Sequence, residues 1–314
     1  MVSTYAVLRF GAYPAHTPPV IDFLTSWHAD PVAIGVIFVA SAAYALGIRR
    51  VRRGGGRWPV LPTLAFYVIG LGSYAVVELG FLGSHAQELR WAFTTRIALL
   101  LFVVPTGIAL GQPLQLIMKA GGDTATTRVV AALRSRVMRL FGNAMFATLF
   151  AALVMCLFLT PAAGFLRVNP WSEASLGVLV PLAGLVMVLP MSVTLTAHAS
   201  VFLAIEFFLA FIELLIDAIP GILMRLNDTV LDGLNTVTGA APWWPNPLRD
   251  QQLSGDLLWF IAEVGDVPVI LLLLLRWMRT DRHEANAYDD LSDEEYDALT
   301  RAHLHGEGTD TASA

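Results

Sequence analysis

The sequence predicts an all-α, polytopic membrane protein of about seven transmembrane helices, with its N-terminus outside and its C-terminus in the cytoplasm. Three observations predict it. Of 314 residues, 56% are hydrophobic and only 14% charged, with a mean hydropathy of +0.63; a soluble domain carries roughly 25% charged residues. Seven apolar runs are each long enough to cross a hydrocarbon core of about 30 Å as a helix. The basic residues between those runs fall mainly on one side.

The runs are Pro31–Ile48, Val60–Leu82, Trp91–Leu110, Leu140–Leu159, Ser175–Leu195, Ala199–Met224 and Leu257–Trp277. Inside a bilayer every backbone polar group must be satisfied within the protein, which leaves helices or closed barrels. None of the runs has the period-two alternation of a barrel strand. Residues 1–30 are expected to form an extracytoplasmic segment. They lack an apolar core followed by a small-residue cleavage site, so the first run is expected to be a retained span. Residues 31–280 would then form the membrane domain, with 225–256 as its longest outer loop and 281–314 as a tail.

Alternating the spans places fourteen lysines and arginines on one side, among them Arg49, Arg50, Arg52, Arg53 and Arg57, against five on the other. The basic side is cytoplasmic by the positive-inside rule. Between the third and fourth runs, Val129, Leu133, Val137 and Leu140 recur at helical spacing among arginines. This predicts an interfacial amphipathic helix over Thr126–Leu140, with a plain loop as the alternative. The segment from Asp281 holds 10 of the 25 acids and two arginines, which argues against nucleic acid as a partner. Its Ser292-Asp-Glu-Glu295 has capping-box spacing, a weak sign of a short helix in a frayed tail. Cys156 is the single cysteine, so no intrachain disulfide or Cys-x-x-Cys site exists; it is expected to be a buried small hydrophobe.

Charges inside spans are costly and face partners or watery cavities. Glu78 and Arg96 lie at similar depth in the second and third runs, roughly 6–8 Å below the boundary at 1.5 Å per residue. They are expected to form a structural ion pair. Glu206, Glu213 and Asp217 fall within about 40° of one face of the sixth helix. That acidic stripe is a candidate cation or proton path, or else a set of neutral, hydrogen-bonded acids. Glu263 and Asp266 share a face of the last run ahead of Pro268, which can free a carbonyl in the preceding turn. Metal-ligand candidates are weak. His28 and His85 lie outside, and Met187 and Met191 share a face around Pro190; thioethers suit Cu(I), but methionines on apolar helices ordinarily serve packing. The chain has no nucleophile elbow, phosphate loop, zinc signature or dinucleotide fingerprint, so an enzyme is not expected.

The order of certain blocks carries a resemblance. Trp27-His-Ala-Asp-Pro31 opens the first run; Tyr44-Ala-Leu-Gly47 and a basic turn ending in Arg57-Trp58 close it. Leu110-Gly-Gln-Pro113 ends the third. Asp250-Gln-Gln-Leu-Ser-Gly255 precedes Leu258-Trp259, Ala262-Glu263, Pro268 and Arg276-Trp-Met-Arg279. Over about residues 27–290 the chain resembles the CtaG-type cytochrome c oxidase assembly family of actinobacteria and bacilli. The resemblance implies a multi-pass protein of the bacterial plasma membrane that delivers copper during maturation of a haem-copper oxidase, or scaffolds its nascent subunits. The implied partners are oxidase subunits and the lipid bilayer, and the implied cofactor is copper. It directs attention to Asp250, Gln251, Gly255 and Glu263 as functional-site candidates.

One departure bears on copper. Where family members carry His-Met-x-Gln-His in the third span, this chain has Phe93-Thr-Thr-Arg-Ile97. A further family histidine after Pro220 appears as Gly221 or Ile222. Either other ligands hold the metal, or metal binding is lost and scaffolding kept; Arg96 at the glutamine position would repel Cu(I). The alternative function is a cation- or proton-coupled transporter built on the acidic stripe of the sixth helix, although no internal repeat supports it.

Overall fold

The computed structural model describes residues 21–141, 144–191, 200–234 and 246–289, and every regular element among them is helical. The segment before residue 21, expected to be extracytoplasmic, and the tail from 290, with its Ser292 capping box, lie outside the described residues.

Helix α1, Pro31–Arg53, starts where the sequence supplies a strong stop and start. Asp30 accepts hydrogen bonds from the amides of Val32 (2.7 Å) and Ala33 (3.4 Å), and Pro31 occupies the first turn. Arg50, Arg52 and Arg53 sit in its last turn, where the helix dipole favours cations. Helix α2 runs Val60–His85 and α3 runs Arg90–Leu110. The middle of α2, Ala65–Gly72, is π-helical. The Ser73 hydroxyl donates to the carbonyls of Gly70 (2.9 Å) and Ile69 within this wider turn. A Cβ on Gly70 would lie 2.9 Å from the Ile108 amide nitrogen, and one on Gly107 would lie 2.5 Å from the amide nitrogen of Gly70. The α2 and α3 backbones touch there, as small residues allow between membrane helices.

Helix α3 is the centre of the bundle: 67% of its most apolar stretch is buried, against 17% for α1. Phe93, Ile97, Leu100, Leu101 and Val104 anchor the main core. At its far end, Gly111 packs so tightly on Phe66 that a Cβ would lie 2.6 Å from the Phe66 Cβ. Gln112 takes a left-handed conformation (φ 52°) before α4, Pro113–Leu133. Tyr44 stacks on Phe66 at 3.9 Å, donates to the Gly111 carbonyl at 2.8 Å, and accepts from the Trp58 indole at 3.2 Å. The tyrosine, tryptophan and glycine of three separate sequence blocks thus meet at one corner.

The region read as an amphipathic helix over Thr126–Leu140 is helical but differently divided. Helix α4 begins at Pro113, bends at Gly122 (φ 63°) and ends at Leu133; a short α5, Arg136–Phe141, follows. The expected fourth span is also altered. Helix α6, Ala144–Cys156, tightens into a 3₁₀ turn at Leu157–Leu159. Thr160 is extended, as a residue before proline prefers, and α7, Pro161–Val168, leaves at 83°. Cys156 is a half-buried free thiol at the end of α6. Helix α8, Pro170–Met191, packs on α3 through Gly184, whose Cβ would strike the Leu101 carbonyl and Pro105.

Helix α9 spans Ser200–Leu226 and α10 spans Pro247–Asp289. Residues 225–256 are therefore not one loop. Asn246 accepts from the amides of Leu248 (2.9 Å) and Arg249 (3.3 Å), Pro247 follows it, and helix begins before Asp250. The block Trp243–Trp244–Pro245 lies outside the described residues. Among the described residues, four helices are long and apolar enough to cross a membrane (α1, α2, α3 and the Pro170–Leu189 part of α8), or five if the bent α6–α7 pair forms one span.

The chain forms two compact units. One holds α1 to α8, α9 from Ile212, and α10 as far as Asp266; the other holds α9 up to Phe211 and α10 from Val267. In the second unit Phe207 lies 6.0 Å from Trp277, ring to ring.

Candidate functional site

Four charged side chains converge where α3, α7 and α10 begin or end. Asp250 and Gln251 enter from the first turns of α10, Arg90 from the start of α3, Arg167 from α7, and Asp232 from the loop after α9. Asp232 receives Arg90 on both oxygens, at 2.9 and 3.0 Å, and Arg167 at 3.0 Å. Arg90 also donates to the Leu234 carbonyl at 2.8 Å, and Arg167 to the Gln87 carbonyl at 2.8 Å. All four are buried; Asp250 is 2% exposed and Arg167 3%.

Asp250 does something specific. The residue before α3, Leu89, has no side chain that can cap a helix. The Asp250 carboxylate supplies the cap from another helix, accepting from the amides of Arg90 (2.8 Å) and Trp91 (3.0 Å). Its own turn is fastened by the Ser254 hydroxyl, which donates to the Asp250 carbonyl at 2.9 Å. Burial raises the Asp250 pKa above its ordinary value, against the lowering pull of those amides and of Arg90. Asp232 is also opposed by burial, yet the hydrogen bonds and charge of Arg90, with Arg167, hold its carboxyl below the ordinary value.

Gln251 binds the loop backbone. Its carbonyl accepts from the Leu231 amide at 2.7 Å, and its amide donates to the carbonyls of Thr229 (3.0 Å) and Met224 (3.4 Å). Gly255 serves a helix crossing: a Cβ on Gly221 would lie 2.7 Å from its carbonyl oxygen, and its own Cβ would strike the Gly221 carbonyl. Glu263 is elsewhere, thirteen residues or about 20 Å along α10 from Asp250, accepting from Trp259 of its own helix at 2.5 Å. Asp250, Gln251, Gly255 and Glu263 therefore do not converge on one ligand. Two acids and two bases compensate each other, with the Nε atoms of Arg90 and Arg167 left without a hydrogen bond; chemically, the cluster is a latch on the 227–234 loop.

Glu78 and Arg96 form the ion pair expected of them. Arg96 donates through two nitrogens to the two Glu78 oxygens, at 2.9 and 2.8 Å, and to the Glu173 carbonyl at 3.0 Å. Gly177 of α8 makes room; a Cβ there would lie 2.7 Å from a Glu78 oxygen. Phe93, one turn before Arg96, and Ile97, directly after it, are buried core residues, and Phe93 meets Phe158 edge to face at 5.9 Å. The His28 ring pairs with the Ser84 hydroxyl at 3.1 Å, and the His85 ring with the Phe81 carbonyl at 3.1 Å. Met187 is buried in the core. Among the described residues no three His, Cys, Asp or Glu side chains are grouped as a metal site would require. The side chains of Met191, Glu206, Glu213, Asp217 and Asp266 lie outside the described residues.

Reasoning from sequence found Asp250 and Gln251 but not Arg90, Arg167 or Asp232. Arg90 and Arg167 count there only among the five basic residues of the outer side, and Asp232 only as part of the 225–256 loop. The signal available was the absence of a capping side chain before Arg90, which requires a partner for the first amides of α3.

The blocks that meet at Tyr44 and the block that builds the latch are those expected from the sequence, and a family comparison agrees. A family model of the cytochrome c oxidase caa3 assembly factor (Caa3_CtaG) matches residues 42–280. The chain belongs to that family. Among curated proteins it is similar to an uncharacterized protein of Mycobacterium bovis and one of Mycobacterium tuberculosis, each 24% identical over 306 residues, covering 91% of this chain and 45% of theirs. A protein of Mycobacterium leprae is 22% identical over 324 residues, covering 93% of this chain and 47% of its own. The chain thus spans about half the length of the curated relatives it matches. No solved structure matches it.

Proposed function

We propose that the chain acts as a membrane-embedded scaffold in the assembly of a haem-copper cytochrome c oxidase, and that it does not carry copper at the intramembrane positions where its family has histidines. Membership of the caa3 assembly factor family supports the process. One observation favours scaffolding: Phe93 and Ile97 fill those positions as packed core, beside a guanidinium already satisfied by Glu78. Neither side chain offers a lone pair to Cu(I), and the fixed cation between them repels one. In this reading seven helices cross the plasma membrane, the arginine-rich turns face the cytoplasm, and the Asp250 latch faces outward. The client is a nascent oxidase subunit.

The test is the amount, copper content and haem content of the oxidase purified from a strain lacking the chain. Scaffolding predicts less oxidase with an unchanged copper-to-haem ratio. Copper-depleted oxidase with haem present would overturn scaffolding in favour of copper delivery. A normal amount with normal copper would remove the assembly role.

A further inference from the structure

The basic end of α1 carries a feature that oxidase assembly does not account for. Between the last turns of α1 and the first half of α4 lies an open cavity of about 510 Å³, walled by Ala40, Ala43 and Gly47 on one side and Leu116 and Ile117 on the other. Its size falls in the range of roughly 300–1,000 Å³ usual for small-ligand sites. The walls are apolar and the cavity has one charged lining residue, Arg50. The Arg50 guanidinium is exposed and forms no ion pair with the described residues. Arg53 lies one turn further along the same face of α1.

The surroundings are strongly positive. Residues 40–60 and 113–134 together hold Arg49, Arg50, Arg52, Arg53, Arg57, Lys119, Arg128 and Arg134 against one acid, Asp123. Trp58 and Lys119 close the corner beside it, the ammonium standing 5.4 Å from the indole centroid. Tight packing holds the walls apart at a fixed distance: a Cβ on Gly47 would come within 3.0 Å of Leu116. An apolar slot between the basic end of a candidate membrane span and the helix packed on it, with free guanidinium at its polar end, matches a molecule that has a fatty tail and an anionic head.

We propose that this cavity is a binding site for one anionic phospholipid, its acyl chain between α1 and α4 and its phosphate on Arg50 and Arg53. The proposal needs only that the chain is embedded in a bilayer, and it stands apart from any role in oxidase assembly. A lipid held there would pin α4 to α1 at the membrane surface.

The experiment titrates the purified full-length chain in neutral detergent with phosphatidylglycerol or phosphatidylcholine of the same acyl composition, read by native mass spectrometry. Phosphatidylglycerol should bind at least tenfold more tightly. Arg50→Gln should weaken it about fivefold, and Arg50→Gln with Arg53→Gln further, since each basic side chain at a membrane surface contributes about that factor. Arg50→Lys should keep most of the affinity, and Arg134→Gln, outside the cavity, should change little. Ala43→Phe fills the slot while leaving the charge, and should lower the affinity for both lipids. Equal binding of the two lipids, an Arg50→Gln effect no larger than that of Arg134→Gln, or unchanged binding in Ala43→Phe would each overturn the proposal. So would displacement of the lipid by millimolar inorganic phosphate, which would mark a headgroup contact with no bound tail. Arg50, Arg53 and Ala43 are exposed, and unchanged melting of each variant verifies that its fold is intact.

Discussion

Two groups of buried charge sit on α3 less than two turns apart, and they are built on different plans. Glu78 and Arg96 join neighbouring helices across 18 residues of sequence, one acid to one base, in a bidentate fork. The Arg90 latch joins α3, α7, α10 and the 227–234 loop across as many as 160 residues, two acids to two bases, and caps a helix as well. The pair holds two helices at one depth. The latch holds helix ends, where backbone amides and carbonyls need partners, and a loop that has few backbone bonds of its own. Charge within a span and charge at a helix end therefore perform different tasks even when equally buried.

The largest effect that separates them should come from Asp232→Ala. It takes from Arg90 and Arg167 the acid that both bond, leaving only Asp250, 3.8 Å from Arg90, as counter-charge, and breaking a buried pair by removing one partner costs about 3–5 kcal/mol. Unfolding of the purified chain in detergent should shift by that amount, and hydrogen exchange should rise first in residues 227–234. If exchange rises evenly over α3, the latch is not local. Glu78→Ala should cost a similar or slightly smaller amount, since one base and not two loses its bonded acid. Here a second change can rescue: replacing Glu78 and Arg96 together by leucine should recover most of the loss, because apolar substitution of a whole buried pair is often neutral. The same rescue should fail at the latch, where Arg90→Leu with Asp232→Leu still leaves Arg167 and Asp250.

The comparison also explains what the sequence could reveal. The apolar runs located most of the described helices, because the demand for internal backbone bonding leaves little else. The Glu78–Arg96 pair was legible because a short loop makes the helices antiparallel neighbours, so depth alone matches the partners. The latch was half legible. Asp250 and Gln251 stood out as a motif, but their partners lie far away in sequence, and no periodicity connects Arg90 to Asp232. Glu263, a candidate by the same resemblance, lies thirteen residues along the helix and apart from the latch. The fourth run ends at Leu159, just before the bend, but the short helix Pro161–Val168 beyond it was not read from the sequence.

Intermediate in size is Gly177→Ala. The added methyl would press on Glu78 and lie 3.4 Å from an Arg96 nitrogen, so α8 must shift or the fork must open. Overpacking of this kind costs about 1–3 kcal/mol. The loss should disappear in the double-leucine background, where the fork is absent; a loss that persists there would place the strain elsewhere.

Smaller still is the response to pH, and its sign differs between the two acids of the latch. The folded-state pKa of Asp232 is depressed, so its stabilisation is present above the ordinary carboxylate range and is lost as pH falls through the folded value. The melting gap between the parent chain and Asp232→Asn should narrow on acidification below about pH 4. The folded-state pKa of Asp250 is raised, so its contribution is fully present below the ordinary value and declines as pH rises through the folded one. The gap to Asp250→Asn should therefore narrow in the opposite direction, with rising pH. Gaps that move the same way would mean that the two carboxylates share their protons and act as one group.

The smallest effect tests the far end of α3, where no charge is involved. Gln112 holds a left-handed conformation that glycine adopts without strain, and a side chain there costs roughly 1–2 kcal/mol. Gln112→Gly removes that cost but loosens the unfolded chain by about 0.4–1 kcal/mol. A net gain between zero and about 1.6 kcal/mol is expected. Its neighbour should respond the other way, because Gly111→Ala pushes a methyl into Phe66 and separates Tyr44 from the carbonyl it bonds. Opposite signs at adjacent positions would show that this corner, unlike the latch, is set by backbone shape and close packing. If both substitutions destabilise, the Gln112 side chain has a role that its φ angle alone does not reveal.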